Sequence, residues 1–164
     1  MDLTWNECRS DLLKTAINNN QGIGQGAAST FIPLSEHVGV KLFPSVELRD
    51  AALARQRTSK GHFVAPEAGA AFQLDDAFDH EPLLFYSGIG AKGFRRYGYV
   101  TERADTSRRP KREEIDAFVT KMRGIPELNA PADFEDNDEN YGYIGGQLVF
   151  LDFDDGTWSS EDDY

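Results

Sequence analysis

Val38-Gly39-Val40-Lys41-Leu42-Phe43, running into Pro44-Ser45-Val46-Glu47-Leu48, is the stretch on which the fold turns. Val38, Val40 and Leu42 fall on one face, and Gly39, Lys41 and Phe43 on the other, which is the period-two signature of a strand. Upstream, Ser29-Thr30-Phe31-Ile32 is extended and Ser35-Glu36-His37 supplies a turn, so the two runs read as an antiparallel pair. Downstream, Ser45 is placed to cap a helix over about residues 45–60. Glu47 lies in its first turn, where negative charge is favoured. Leu48, Ala51, Ala52 and Arg55 mark one face of that helix.

Working outward, Trp5, Cys8, Leu12, Leu13, Ala16 and Ile17 recur at helical spacing, which predicts an amphipathic helix over residues 5–18. Asn18-Asn19-Asn20-Gln21-Gly22 ends it. Gly22, Gly24 and Gly26 predict a flexible turn. Residues 61–82 read mostly as loop, and Leu83–Tyr86 and Tyr97–Thr101 as strands. Asp105–Pro110 is a polar connection. Lys111–Arg123 forms a helix with Ile115, Phe118, Val119 and Met122 on one stripe. An irregular acidic loop over 125–139 leads to a hairpin turning at Gly145-Gly146. No internal repeat and no clear interdomain linker is present.

Composition narrows the function. A chain of 164 residues makes one domain, or two small lobes sharing a cleft, and 40% hydrophobic content with 11 Phe supplies a core. The net charge of −11 argues against nucleic acid and against an anionic membrane surface as partners. One cysteine, Cys8, excludes an internal disulfide. No apolar run reaches membrane-spanning length, and the N-terminus lacks the basic and apolar regions of a signal peptide. A cytoplasmic setting is the expectation, with signal-independent secretion left open. His37, His62 and His80 are scattered without metal-ligand spacing. Arg95-Arg96 and Arg108-Arg109 read as exposed basic spots, and Trp5 and Trp158 as packing residues.

Three elements can carry chemistry. Ile23-Gly24-Gln25-Gly26-Ala27-Ala28-Ser29 is glycine-rich, and such backbone can approach phosphate oxygens. It is neither a Walker loop nor a dinucleotide fingerprint. Lys41 is a lone charge in an alternating strand, either facing solvent or presenting an ammonium to a cleft. Asn140 precedes the last hairpin and Asp152 ends its apolar second strand, Leu148-Val149-Phe150-Leu151. The hairpin can bring the two together, and an amide oxygen with a carboxylate suits Mg²⁺.

In this order the three resemble the protein-kinase-like fold over roughly residues 22–154. Residues 23–31 resemble the glycine-rich loop, with Gly24, Gly26 and Ser29 as phosphate contacts. Val38–Lys41 resembles the strand bearing the phosphate-binding lysine. Tyr97–Arg103 looks like the strand entering the hinge, which places Glu102 and Arg103 against the nucleotide. Asn140 matches the catalytic-loop asparagine, and Asp152-Phe153-Asp154 resembles the metal-binding Asp-Phe-Gly with its glycine replaced. The closest likeness is to very small, atypical kinases of bacteria, their phages and their secreted effectors.

The resemblance implies a two-lobed α+β domain, with about residues 1–103 as an N-lobe and 104–164 as a much reduced C-lobe. It implies ATP and Mg as cofactors, and transfer of the γ-phosphate to a protein hydroxyl, in a bacterial or a host cell. The catalytic base position is Glu135, with Asp133 and Asp136 as alternatives. The glutamate that would hold Lys41 is not obvious: Glu47 is too near in sequence, and Gln56 carries no charge. The competing expectation is a non-enzymatic acidic module, or a pseudokinase, that inhibits a host protein.

Overall fold

The computed structural model describes residues 1–128 and 138–153. Along the chain lie α1 (Glu7–Asn19), β1 (Gly24–Gln25), β2 (Thr30–Pro33), β3 (Val38–Phe43), α2 (Val46–Lys60), β4 (Ala68–Gln73), β5 (Phe85–Tyr86), β6 (Gly93–Phe94), β7 (Tyr97–Glu102), α3 (Arg112–Arg123), β8 (Tyr141–Ile144) and β9 (Gln147–Phe150). Short 3-10 turns fill several connections. The fold is α+β, with three helices and a five-stranded antiparallel sheet in the order β1-β2-β3-β7-β4.

The central pair is β3 and β7, in register from Val38↔Glu102 to Phe43↔Tyr97. Both faces of β3 are covered, so all six of its residues are buried. Val38, Val40 and Leu42 pack with Leu13 and Ile17 of α1 and with Ile32 and Val100. On the other face Phe43 and Tyr99 pack with Ala52 and Leu53 of α2. The alternation in the sequence therefore sorts residues correctly between two covered faces.

Both flanking helices start as their cap residues dictate. Asn6 accepts from Arg9 N at 2.9 Å, and Ser45 accepts from Leu48 N at 3.2 Å. The buried side of α2 is Ala52, Leu53, Gln56 and Ser59, so Ala51, expected on the packed face, is exposed instead.

Three other expectations are corrected. Residues 61–82 contain β4, paired along β7, whose Ala-Gly-Ala-Ala start has weak strand preference of its own. Its register shifts between Ala68 and Ala71. Leu3 lies along this edge and its carbonyl accepts from Ala70 N at 2.9 Å, while Trp5 stacks on Phe72 at 3.8 Å. Leu83 and Leu84 belong to a 3-10 turn. Only Phe85 and Tyr86 are strand, paired with β6 outside the main sheet. Finally, the glycine segment is partly strand, since Gly24 and Gln25 pair with Phe31 and Thr30.

A separate apolar cluster joins α3 to the last hairpin. Ile115, Phe118, Val119 and Met122 meet Tyr141, Phe150 and Phe153, together with Val64 and Ala65. Successive edge-to-face rings, Phe118–Tyr141, Tyr141–Phe150 and Phe150–Phe153, run through it at centroid distances of 5.3–5.5 Å. The hairpin turns at Gly145 and Gly146, both at positive φ, as their sequence requires.

Gly98 tests the central packing. A Cβ there would lie 2.7 Å from Leu42 Cδ2 and from Lys41 O, and 2.8 Å from Phe72 Cζ. Gly98→Ala is expected to destabilise the protein by about 1–3 kcal/mol through overpacking, read from urea unfolding. An unchanged midpoint would mean that β7 can shift away from β3.

Candidate functional site

One cavity of about 860 Å³ gathers the dispersed candidates. Gly24, Gly26, Ser29, Lys41, Glu102, Arg103, Asn140 and Asp152 all line it. Asp133, Glu135 and Asp136, expected to include the catalytic base, lie outside the described residues, as do Asp154 and Trp158.

Lys41 sits on β3 with 8% of its surface exposed, which settles the choice between solvent and cleft. Its Nζ donates to the Leu151 carbonyl at 2.8 Å. That bond docks the strand after β9 against the sheet. The β8–β9 register puts Tyr141 opposite Phe150, and one step further Leu151 N donates to Asn140 O at 2.8 Å. Asn140 and Asp152 therefore both lie at the open end of the hairpin, as its register implies, and both line the cavity.

The glycine segment turns tightly, with Gly26 N donating to Ser29 O at 2.8 Å. Thr30 Oγ1 donates to Gln25 Oε1 at 2.5 Å, and Gln25 Nε2 donates to Leu83 O at 2.8 Å. Thr101–Ala104 also line the cavity. Here the expectation for the hinge needs refinement. The amides of Glu102 and Arg103 already donate to Glu67 O and His37 O, each at 2.8 Å, so neither amide is available to a ligand.

Gln56 takes the place on α2 where a lysine-binding carboxylate was sought. It is 1% exposed and lines the cavity. Its amide nitrogen donates to Thr101 Oγ1 at 2.8 Å and to Pro66 O at 3.1 Å, and its oxygen accepts from Tyr99 Oη at 2.7 Å. Both ends of the amide are thus committed to the sheet. Glu47 is exposed at the start of α2. Among the described residues, no group of three His, Cys, Asp or Glu side chains is gathered for a metal ion. Asn140 and Asp152, the two expected oxygen donors, both line the cavity.

Two basic pairs read as exposed spots are largely engaged. Arg95 is fully buried behind the glycine turn. Arg108 lies over the Tyr143 ring at 3.8 Å. Arg109 lines the cavity and sits 3.6 Å from Asp138 and 3.8 Å from Glu139. The sequence reading also missed Gly90 and Ala91, which line the cavity from the β5–β6 turn. Their only sequence signal is the Gly88-Ile89-Gly90-Ala91 run, which is generic turn composition.

Tyr143 anchors the hairpin to α3 through its hydroxyl, which donates to Glu114 Oε2 at 3.0 Å. The Lys111 N–H and then this hydroxyl hold the Glu114 carboxyl below the usual range, while burial and the same contact push the Tyr143 phenol up. No protein-family model matches the chain, and neither does any curated protein.

Two measurements probe these contacts. Tyr99→Phe leaves Gln56 Oε1 without its donor in a buried site and is expected to cost about 1–3 kcal/mol by denaturant unfolding. Glu114 has a depressed folded-state pKa, so its contribution to stability is present above the unfolded value of about 4.5 and is lost as pH falls through the folded value. Glu114→Gln should therefore flatten the loss of melting temperature on acidification below that pH. Parallel profiles for wild type and variant would exclude this linkage.

Proposed function

We propose that this chain is a minimal kinase-like phosphotransferase that moves the γ-phosphate of Mg-ATP to a protein hydroxyl. The observation that carries the reading is the shared cavity: the glycine segment, Lys41, the 101–104 wall, Asn140 and Asp152 face one space although they are far apart in the chain. Two further features support it. Sheet order β1-β2-β3-β7-β4, with α2 following the lysine strand, is compatible with a kinase-like N-lobe over about residues 1–103. The cluster of α3 with the β8–β9 hairpin is compatible with a reduced C-lobe from 104 onward.

Each residue then has a role. The Lys41 ammonium orients the phosphates, and the glycine turn offers backbone N–H groups to them. The Asn140 amide oxygen and the Asp152 carboxylate are hard donors that fit Mg²⁺, whose shell is usually completed by phosphate and water. Bound there, Mg²⁺ would neutralise charge on the phosphates. An acid among Asp133, Glu135 and Asp136 would take the proton of the acceptor hydroxyl. Catalysis on this reading is positioning and charge neutralisation. The protein substrate would be met in the cytoplasm of a bacterium or of its host.

A second reading is favoured by Gln56 and by the net charge of −11. With a neutral amide on α2 and Lys41 bonded to a main-chain carbonyl, the same architecture could serve as a pseudokinase or an acidic module that inhibits a host protein.

Melting temperature with ATP separates the two. Saturation at about 100 times Kd stabilises a folded protein by about 2.7 kcal/mol. For a chain of this size that is a rise of roughly 5–10 °C. The rise should require Mg²⁺ and disappear in Asp152→Ala, after which transfer from γ-labelled ATP to protein substrates is the decisive assay. No shift at millimolar ATP would overturn the nucleotide reading and favour the acidic module.

A further inference from the structure

Arg95 is fully buried, and its surroundings point in one direction. Its Nη1 donates to Gly26 O at 2.8 Å, and its Nη2 to Ala27 O at 3.1 Å and to Ala91 O at 2.9 Å. Thr30 Oγ1 lies 3.3 Å from Nη1, and the Tyr86 ring stacks against the guanidinium at 3.9 Å. Tyr86 and Ala91 belong to the β5–β6 hairpin, and Gly26 and Ala27 to the glycine turn. One cation therefore staples two chain segments that lie some 60 residues apart in sequence. Ala91 N adds a direct bond to Ala27 O at 2.7 Å.

We infer that Arg95, with the β5–β6 hairpin, is a positioning device that fixes the glycine turn so that its amides face an anionic group in the cavity. The geometry follows from the peptide unit. Every peptide bond described is trans, so each C=O points opposite to the next residue's N–H. Drawing the Gly26 and Ala27 carbonyls onto the guanidinium turns the Ala27 and Ala28 N–H groups away from it. Neither of these amides has an acceptor among the described residues. Consecutive N–H groups presented together form an anion-binding concavity.

Glycine at position 90 is part of the device. Its φ is +122°, and a Cβ there would lie 2.3 Å from Ala27 O. A side chain at this position would wedge the two segments apart without removing Arg95. The inference rests on the proposed nucleotide reading and names what makes its phosphate contact.

The test uses Arg95→Lys, Arg95→Met and Gly90→Val in the full chain, with two readouts. Amide hydrogen exchange over residues 24–31 and 87–95, without ligand, reports whether the staple holds the turn. Calorimetric Kd values for Mg-ATP and for adenosine report whether the turn serves the phosphates. Expected are faster exchange in both segments and a loss of about tenfold or more in ATP affinity, the scale of one charge-assisted hydrogen bond. Adenosine affinity should change less than about twofold, since its contacts would lie on the 101–104 wall. A purely structural defect would weaken both ligands alike, and that result overturns the inference. Exchange unchanged in folded Arg95→Lys and Gly90→Val also overturns it, whatever the affinities. If wild type binds neither ligand while the variants still exchange faster, the nucleotide reading falls and takes the phosphate role with it. Gly90→Val keeps the test alive should the Arg95 variants not fold.

Discussion

An ammonium group placed in the middle of a covered strand must find oxygen or disrupt the sheet. At Lys41 the oxygen belongs to Leu151, 110 residues further along the chain. This bond ties β3 directly to the exit of the last hairpin, beside the main-chain pairing of Asp105 with Tyr143 and the bond from Phe150 N to Val64 O. It brings the strand exit that carries Asp152 to the rim of the sheet, and Asn140 follows because Leu151 is paired to it through the main chain. The aromatic series from Phe118 to Phe153 then holds the hairpin from the far side.

The cavity wall mixes apolar side chains such as Phe31 and Leu48 with polar groups, several of which have their hydrogen bonds satisfied within the fold. Gln56 is bound at both ends of its amide, and the Glu102 and Arg103 amides are used by neighbouring loops. Groups so committed define shape more than they attract ligands, since breaking a buried bond costs the desolvation of the orphaned partner. The glycine turn, Lys41 and the hairpin end also line the cavity.

How much of this could be read from sequence depended on whether the signal was local. β3 declared itself by alternation, α3 by its apolar stripe, and the last hairpin by Gly145-Gly146. The placing of Asn140 and Asp152 at one end of the hairpin followed from its register alone. β4 was missed because its small side chains carry little strand preference, and pairing with β7 decides its state. Arg95 was missed for a related reason. Arginine next to arginine reads as surface, and what buries this one is a ring of backbone carbonyls, which carry no residue-type signature. Gln56 lay between these cases: its neutrality was visible, while its partners on β7 were not.

The segment before α1 has a consequence of a different kind. β4 is an outer strand of the sheet, and an open row of amides and carbonyls there invites another chain to add itself. Leu3 occupies that row at Ala70, Trp5 covers Phe72, and the register shift at Ala68–Ala71 breaks its regularity. Gly69 allows the fit, since a Cβ there would lie 2.3 Å from Leu3 O. The first few residues thus act as a cover against intermolecular sheet growth. Fusions or cleavages that disturb them bear on solubility and self-association before they bear on the cavity.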